Sequence, residues 1–412
     1  MLRILVISDT YPEKRSRVSI LFEKILPILS KDEEIKIFWM SYSDNKNGVT
    51  KNFDYVPLHI NEFKTAKQVI EKSNPSIIYL IPGMSIIENT FLISAKNMKI
   101  PTLQWAVGIP FFAPNKNKKK LFQEMIRQSF EKNEYELNST RKGIQFIKNH
   151  LFFINSMKAL GKKYEKIINM LIDEIKVYFY LKPQNKYCNV NLVENQMSAE
   201  FLMEQGIPKE VLKVVGDPTY DLAFSTKKIN KKENLSKTIL FLTVNMTSGQ
   251  GDSTWTPQNR NKMISQLIKE IKNYEEYKLE IKIHPTKEKL EDYRKIINSD
   301  IEIHQDEDIY DLIKKSDIVM TTSSSTALAI ALILKKPIII WNYFNVKEDL
   351  FLKHQIALEC KNQKGILDCL RNVENFYGKH QDNTRIFIEK FFGSGNALQN
   401  IIKEIDKIKK SN

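Results

Sequence analysis

Short apolar runs alternate with helical spacings twice along this chain, and that alternation restricts the fold more than any other feature. Arg3–Ser8, Ile35–Tyr42, Ser76–Ile81 and Pro101–Ala106 read as strands. Val18–Leu29, Lys64–Glu71 and Ile86–Lys96 carry apolar residues at helical spacing between them. Strand, helix and strand in this order make a crossover, so the sheet is mostly parallel with helices on its faces. Cys188–Val193 and a helix over Ser198–Gln205, closed by Gly206, complete the first set. The second set runs through Thr238–Val244, Lys278–His284, Ile301–His304, Asp317–Met320 and Pro337–Trp341. Its first helix opens at Thr256-Pro257, a capping residue followed by proline at the first helical position.

At 412 residues the chain is long enough for two domains. The polar run Thr226–Lys237 reads as the linker. The expected division is residues 1–224, residues 225–383, and C-terminal helices over 384–412 that pack back on the first domain. Residues 118–180 show no strand signal and form a helical insertion within the broader basic segment 116–186. That segment holds 16 Lys and Arg against seven Asp and Glu, a net of +9 in a chain whose net charge is +14.

No run of about 20 apolar residues is present, so no membrane-spanning helix is expected. The first apolar run is too short for a secretory signal. Cys188, Cys360 and Cys369 have neither disulfide nor metal spacing, which fits a reducing cytoplasm. The basic excess raises a nucleic-acid-binding reading, but no recognised module or aromatic-basic stripe accompanies it. The insertion places Ile144, Ile147, Leu151 and Ile154 at helical spacing between lysines. A helix of that kind can lie on an anionic bilayer, so the expected location is cytoplasmic, peripheral at the inner face of a membrane.

Two motifs carry chemistry. Lys282 and His284 share one face of an alternating strand that Pro285 then stops. Asp317–Met320 runs into Thr321-Thr322-Ser323-Ser324-Ser325-Thr326, and then into the apolar helix that starts at Ala327. Hydroxyls there can cap backbone N–H groups or hold an anion. In an open α/β sheet this edge is where ligands bind. Either motif alone is also an ordinary way to end a strand or start a helix; their order in one domain is more specific.

These motifs resemble the GT-B glycosyltransferase superfamily, above all its capsule and surface-polysaccharide branch. His284-Pro285 is similar to that branch's His-Pro motif, and Ser323–Thr326 to its Ser-Ser/Thr motif. Val215-Gly216-Asp217-Pro218-Thr219-Tyr220-Asp221 resembles the interdomain segment shared with UDP-sugar 2-epimerases. The resemblance implies two doubly wound Rossmann-like domains facing across a cleft. It implies a glycosyltransferase that moves a sugar from a CMP-, UDP- or CDP-linked donor to a glycan or lipid-linked acceptor. Neither a protein-bound cofactor nor a protein-held metal is implied. Ala329 stands where related transferases often carry an acidic residue for the donor ribose.

On this reading His284 is a catalytic donor to the leaving phosphate. Lys282, Ser323, Ser324, Ser325, Thr326, Gly249, Gly251 and Arg260 bind the donor. Asp9, or failing that Glu13, is the base that takes the acceptor proton. A UDP-sugar 2-epimerase is the second enzyme reading, and a CDP-polyol phosphotransferase the third. The epimerase would carry a Gly-Gly segment with glutamates in place of the serine run, and Ser324-Ser325-Thr326-Ala327 lacks those glutamates.

Overall fold

The computed structural model describes residues 1–9, 11–12, 17–31, 33–42, 53–80, 85–106, 136–178, 186–226, 236–243, 256–272, 274–285, 288–297, 300–323, 325, 327–343 and 349–410. They form two compact units: Met1–Thr219 with Asn396–Asn412, and Tyr220–Gly395.

In the first unit the chain runs β1 (Leu2–Ser8), α1 (Arg17–Leu29), β2 (Ile35–Ser41), β3 (Val56–His59), α2 (Ala66–Ser73), β4 (Ile77–Tyr79) and α3 (Ile86–Asn97). It continues through β5 (Thr102–Ala106), α4 (Glu136–Ala159), α5 (Tyr164–Tyr178), β6 (Val190–Val193), α6 (Gln196–Glu204) and β7 (Leu212–Val214). The sheet order is β3-β2-β1-β4-β5-β6-β7, and every pairing is parallel. Both faces are covered, so β1 is apolar on both. Leu2, Ile4 and Val6 pack with Leu21, Phe22 and Ile25 of α1. Leu5 and Ile7 pack on the other side with Val69, Ile70 and Phe91.

The second unit runs α7 (Asp221–Ser225), β8 (Lys237–Leu242), α8 (Pro257–Ile271), β9 (Tyr277–Lys282), α9 (Leu290–Arg294), β10 (Glu302–His304) and α10 (Ile309–Lys315). It ends with β11 (Ile318–Thr321), α11 (Ala327–Ile333), β12 (Ile338–Trp341), α12 (Leu350–Lys353), β13 (Leu358–Cys360), α13 (Ile366–Lys379) and α14 (Gln381–Phe391). The order β10-β9-β8-β11-β12-β13 is again all parallel. Each sheet therefore reverses its winding beside its first strand, at β1/β4 and β8/β11. Two doubly wound α/β units are what the alternation of strands and helices predicts.

The last helix, α15 (Ala397–Lys410), returns to the first unit. Ile401, Ile405 and Ile408 join the α1 face of its core. The sequence grouping of 384–412 thus divides: α14 stays in the second unit, where Phe387 packs on Phe351 and His354. β3, β7 and β13 lie outside the strands read from sequence. They are three or four residues long, and Val214 of β7 is 50% exposed, so no apolar alternation marks them.

Gly216 fixes the return of α15. Its φ of +94° is one that L side chains rarely adopt, and a Cβ there would lie 2.9 Å from the Ala397 Cβ. Asn400 Nδ2 also donates to the Val215 carbonyl at 3.2 Å. Gly216→Ala is expected to cost about 2–3 kcal/mol in urea unfolding, through backbone strain and displacement of α15. Unchanged unfolding would show that this approach is not tight.

Candidate functional site

The site in the second unit is built at the C-terminal ends of three adjacent strands. Thr321 of β11 is level with Leu242 of β8, and Leu242 with Lys282 of β9. One step further lie Thr243, Thr322 and the turn that carries His284.

A buried carboxylate fixes that turn. Glu288 is 4% exposed and accepts three hydrogen bonds. Oε2 takes the His284 backbone N–H at 2.9 Å and the Thr243 hydroxyl, and Oε1 takes the Tyr293 hydroxyl at 2.6 Å. Tyr293 is fully buried, and its hydroxyl pKa is raised by burial and by the Glu288 charge, so it stays a donor. Arg260 lies 4.8 Å over the Tyr293 ring, its guanidinium also bound to Asn261 Oδ1 at 2.9 and 3.0 Å. At 3% exposed, Arg260 backs the turn from inside, although sequence reading set it against the donor phosphate. Lys282 is likewise a buried staple. Its ammonium donates to the carbonyls of Gln305 at 2.7 Å and Ile283 at 3.3 Å. Half-buried His284 is therefore the residue that this network presents at the strand end. Glu288, Thr243 and Tyr293 were missed in the sequence, where only the spacing His284-x-x-x-Glu288 could have pointed to them.

The described part of the hydroxyl run begins on the last residue of β11, Thr321, and continues through Thr322 and Ser323. Thr321 Oγ1 donates to the Ser323 carbonyl at 3.3 Å. The Thr322 and Ser325 hydroxyls are buried and have no protein partner. A buried hydroxyl without a partner costs free energy, so an outside acceptor or donor would be favourable there. Ser324, Thr326, Gly249, Gly251 and Glu13 lie outside the described residues.

The first unit presents a carboxyl pair at the corresponding edge. Asp9 follows β1 and is exposed. Ser8 Oγ donates to its carboxylate at 3.4 Å, and Ser41 Oγ to its carbonyl at 3.2 Å. Glu88 lies in the first turn of α3, where its N–H donates to the capping Ser85 at 3.2 Å. It is 3% exposed, with the Tyr42 hydroxyl 3.5 Å away. Burial, with the nearby Asp9 charge, holds the Glu88 carboxyl well above the usual carboxylate range. Sequence reading missed it because Glu88 sits in a helix start, where a glutamate is ordinary.

Among the described residues Glu280, Glu302 and His304 bring ligand-type atoms within 4.8 Å of one another. Lys278 already lies 3.1 Å from Glu280 and 2.7 Å from Glu302, so an ammonium offsets part of that pair's charge.

Two outcomes follow. Glu288→Ala leaves the Tyr293 hydroxyl without its acceptor, and leaves the Thr243 hydroxyl and the His284 N–H only their longer bonds, to the Lys282 carbonyl at 3.3 Å and to Thr243 Oγ1 at 3.1 Å; it should cost about 3 kcal/mol in urea unfolding. Glu288→Gln keeps an acceptor and should cost less; equal losses would contradict the assignment. Glu88 holds its proton more tightly in the folded protein than at the unfolded value of about 4.3. Its contribution to stability is therefore full below that value and is lost as pH rises through the folded pKa. Glu88→Gln should accordingly flatten the fall of Tm with rising pH, and a parallel profile would contradict the shift.

The profile of the UDP-N-acetylglucosamine 2-epimerase family matches residues 184–406. No curated protein matches the chain in sequence. Among solved structures, the Neisseria meningitidis UDP-GlcNAc 2-epimerase bound to UDP-GlcNAc is similar at 13% identity and TM-score 0.53, over 98% of this chain and 100% of that one. The S. aureus MnaA–UDP complex is similar at 14% and 0.53, over 99% and 96%. The wall teichoic acid polymerase TagF is similar at 14% and 0.56, over 99% and 89%. At these identities the likeness establishes the shared two-domain GT-B fold. The family match covers more than half of the residues and includes both strand-end motifs, so the chain belongs to the UDP-N-acetylglucosamine 2-epimerase family.

Proposed function

We propose that this protein is a glycosyltransferase that uses a UDP-linked sugar donor and passes the sugar to a hydroxyl of a glycan or lipid-linked acceptor. The observation that carries the reading is the pair of buried, unpartnered hydroxyls on Thr322 and Ser325, two strands away from the pinned His284 turn. At about 4.8 Å per strand, the ends of β9 and β11 lie roughly 10 Å apart, a span that a diphosphate and two side chains fill. The solved relatives bound to UDP and UDP-GlcNAc favour uridine over the CMP and CDP donors also expected from sequence.

In this mechanism the C–O bond between sugar and diphosphate breaks as the acceptor oxygen attacks the sugar carbon. Negative charge grows on the leaving phosphate. His284 supplies a proton or hydrogen bond there, and Thr322 and Ser325 hold the other oxygens. Asp9 takes the acceptor proton.

The family match favours a second reading, epimerisation at the sugar carbon next to the anomeric one. That reaction needs a carboxylate to remove a carbon-bound proton. The run after β11 supplies hydroxyls and no glutamate, which is why transfer is preferred.

Calorimetry with UDP, CMP and CDP should give binding for UDP alone. Thr322→Val should weaken it about tenfold, equivalent to about 1.4 kcal/mol. His284→Ala should lower turnover about 100-fold or more, while changing stability by less than about 1 kcal/mol. UDP-GlcNAc that takes up deuterium from heavy water without any acceptor would replace transfer by epimerisation.

A further inference from the structure

Helix α4 has two apolar faces. Phe152, Phe153 and Met157 are buried, and the Phe152 ring packs 6.0 Å from Phe91 of α3. The other face turns outward. Ile147 is 59% exposed and Leu151 53%; Phe146, nearer the helix start on the side of Phe153, is also exposed, at 62%. The antiparallel partner α5 repeats the arrangement with Tyr164, Ile168 and Ile172, one helical turn apart, at 66%, 54% and 43%. Six of the ten strongly exposed large hydrophobics among the described residues lie on this hairpin, so they form a patch rather than a scatter.

Charge around the patch is predominantly positive. Lys148, Lys158, Lys163, Lys166 and Lys176 are exposed along it, and between residues 145 and 176 Glu165 is the exposed acid among the described residues. Each stripe ends on a lysine: Ile147 and Leu151 lead to Lys158, and Ile168 and Ile172 to Lys176. Lys158 reaches across the turn to lie 4.6 Å over the Tyr164 ring, joining the two stripes. Two copies of such a surface would repel each other. An acidic, apolar-backed surface would satisfy both components.

We infer that the α4–α5 hairpin is a docking surface for an anionic lipid bilayer. The aliphatic and aromatic side chains enter the headgroup boundary, and the lysine stems lie along it with their ammonium groups on lipid phosphates. Among the described residues no helix is long and apolar enough to cross a membrane, so the hairpin lies on the surface. This inference does not depend on which reaction the strand-end site performs.

The test is sedimentation of the full chain with phosphatidylglycerol-containing vesicles and with vesicles of phosphatidylcholine alone. Binding should appear with the anionic vesicles and fall steeply between 0.1 M and 1 M salt, as the screening length shrinks from about 10 Å to about 3 Å. The combined variant Ile147→Ser, Leu151→Ser, Ile168→Ser alters only exposed side chains, and should bind at least tenfold more weakly with unchanged UDP binding and Tm. No binding to anionic vesicles at low salt, or equal binding to both vesicle types, would overturn the inference. So would a concentration-dependent dimer that the same variant abolishes without vesicle binding.

Discussion

The second unit's site depends on one buried carboxylate. Glu288 ties the Thr243 hydroxyl at the end of β8 to the His284 backbone at the end of β9, and both to Tyr293. A parallel sheet alone would leave these strand ends as loops free to move. With Glu288 in place, the His284 turn is held by groups from two strands and a helix start. Burying a carboxylate is unfavourable unless it is fully hydrogen-bonded. Here three donors surround it, and the Arg260 guanidinium stacked on Tyr293 adds positive charge behind the donor ring. In the proposed transfer, rigidity at this point matters because electrostatic assistance to a leaving phosphate works only when the donor is already in position.

The two units carry the same sheet plan but different chemistry at their edges. In the second, hydroxyls and an imidazole stand two strands apart at one sheet edge, the spacing on which the proposed diphosphate site rests. In the first, Asp9 and Glu88 lie near Tyr42, and the two carboxyls differ in environment. Glu88 is buried, and burial raises its carboxyl pKa; Asp9 is exposed to solvent.

Much of the fold was legible, for a physical reason. Strands buried on both faces read as near-continuous apolar runs, and the helix spacings between them fix the winding. The short edge strands β3, β7 and β13 carry no such run. The strand-end motifs were legible because Pro285 and the hydroxyl run interrupt apolar patterns at visible places. Roles were less legible than positions. Lys282 alternates with His284 on one strand face, yet the strand buries Lys282 against backbone carbonyls and releases His284 beyond the last pairing. Arg260 sits one turn into α8, where a solvated or ligand-facing arginine was expected, and Tyr293 captures it instead. Both outcomes depend on residues distant in sequence. The outward stripe of α4 was visible as spacing alone, while its second, inward face could be assigned only once α3 was seen against it.

The central claim is that the C-terminal edge of the second sheet holds the donor diphosphate. The most direct measurement is a crystal structure of the protein with UDP bound. The account predicts phosphate oxygens about 3 Å from the Thr322 and Ser325 hydroxyls and from the His284 ring. A diphosphate held elsewhere, with those hydroxyls still unpartnered, would contradict it.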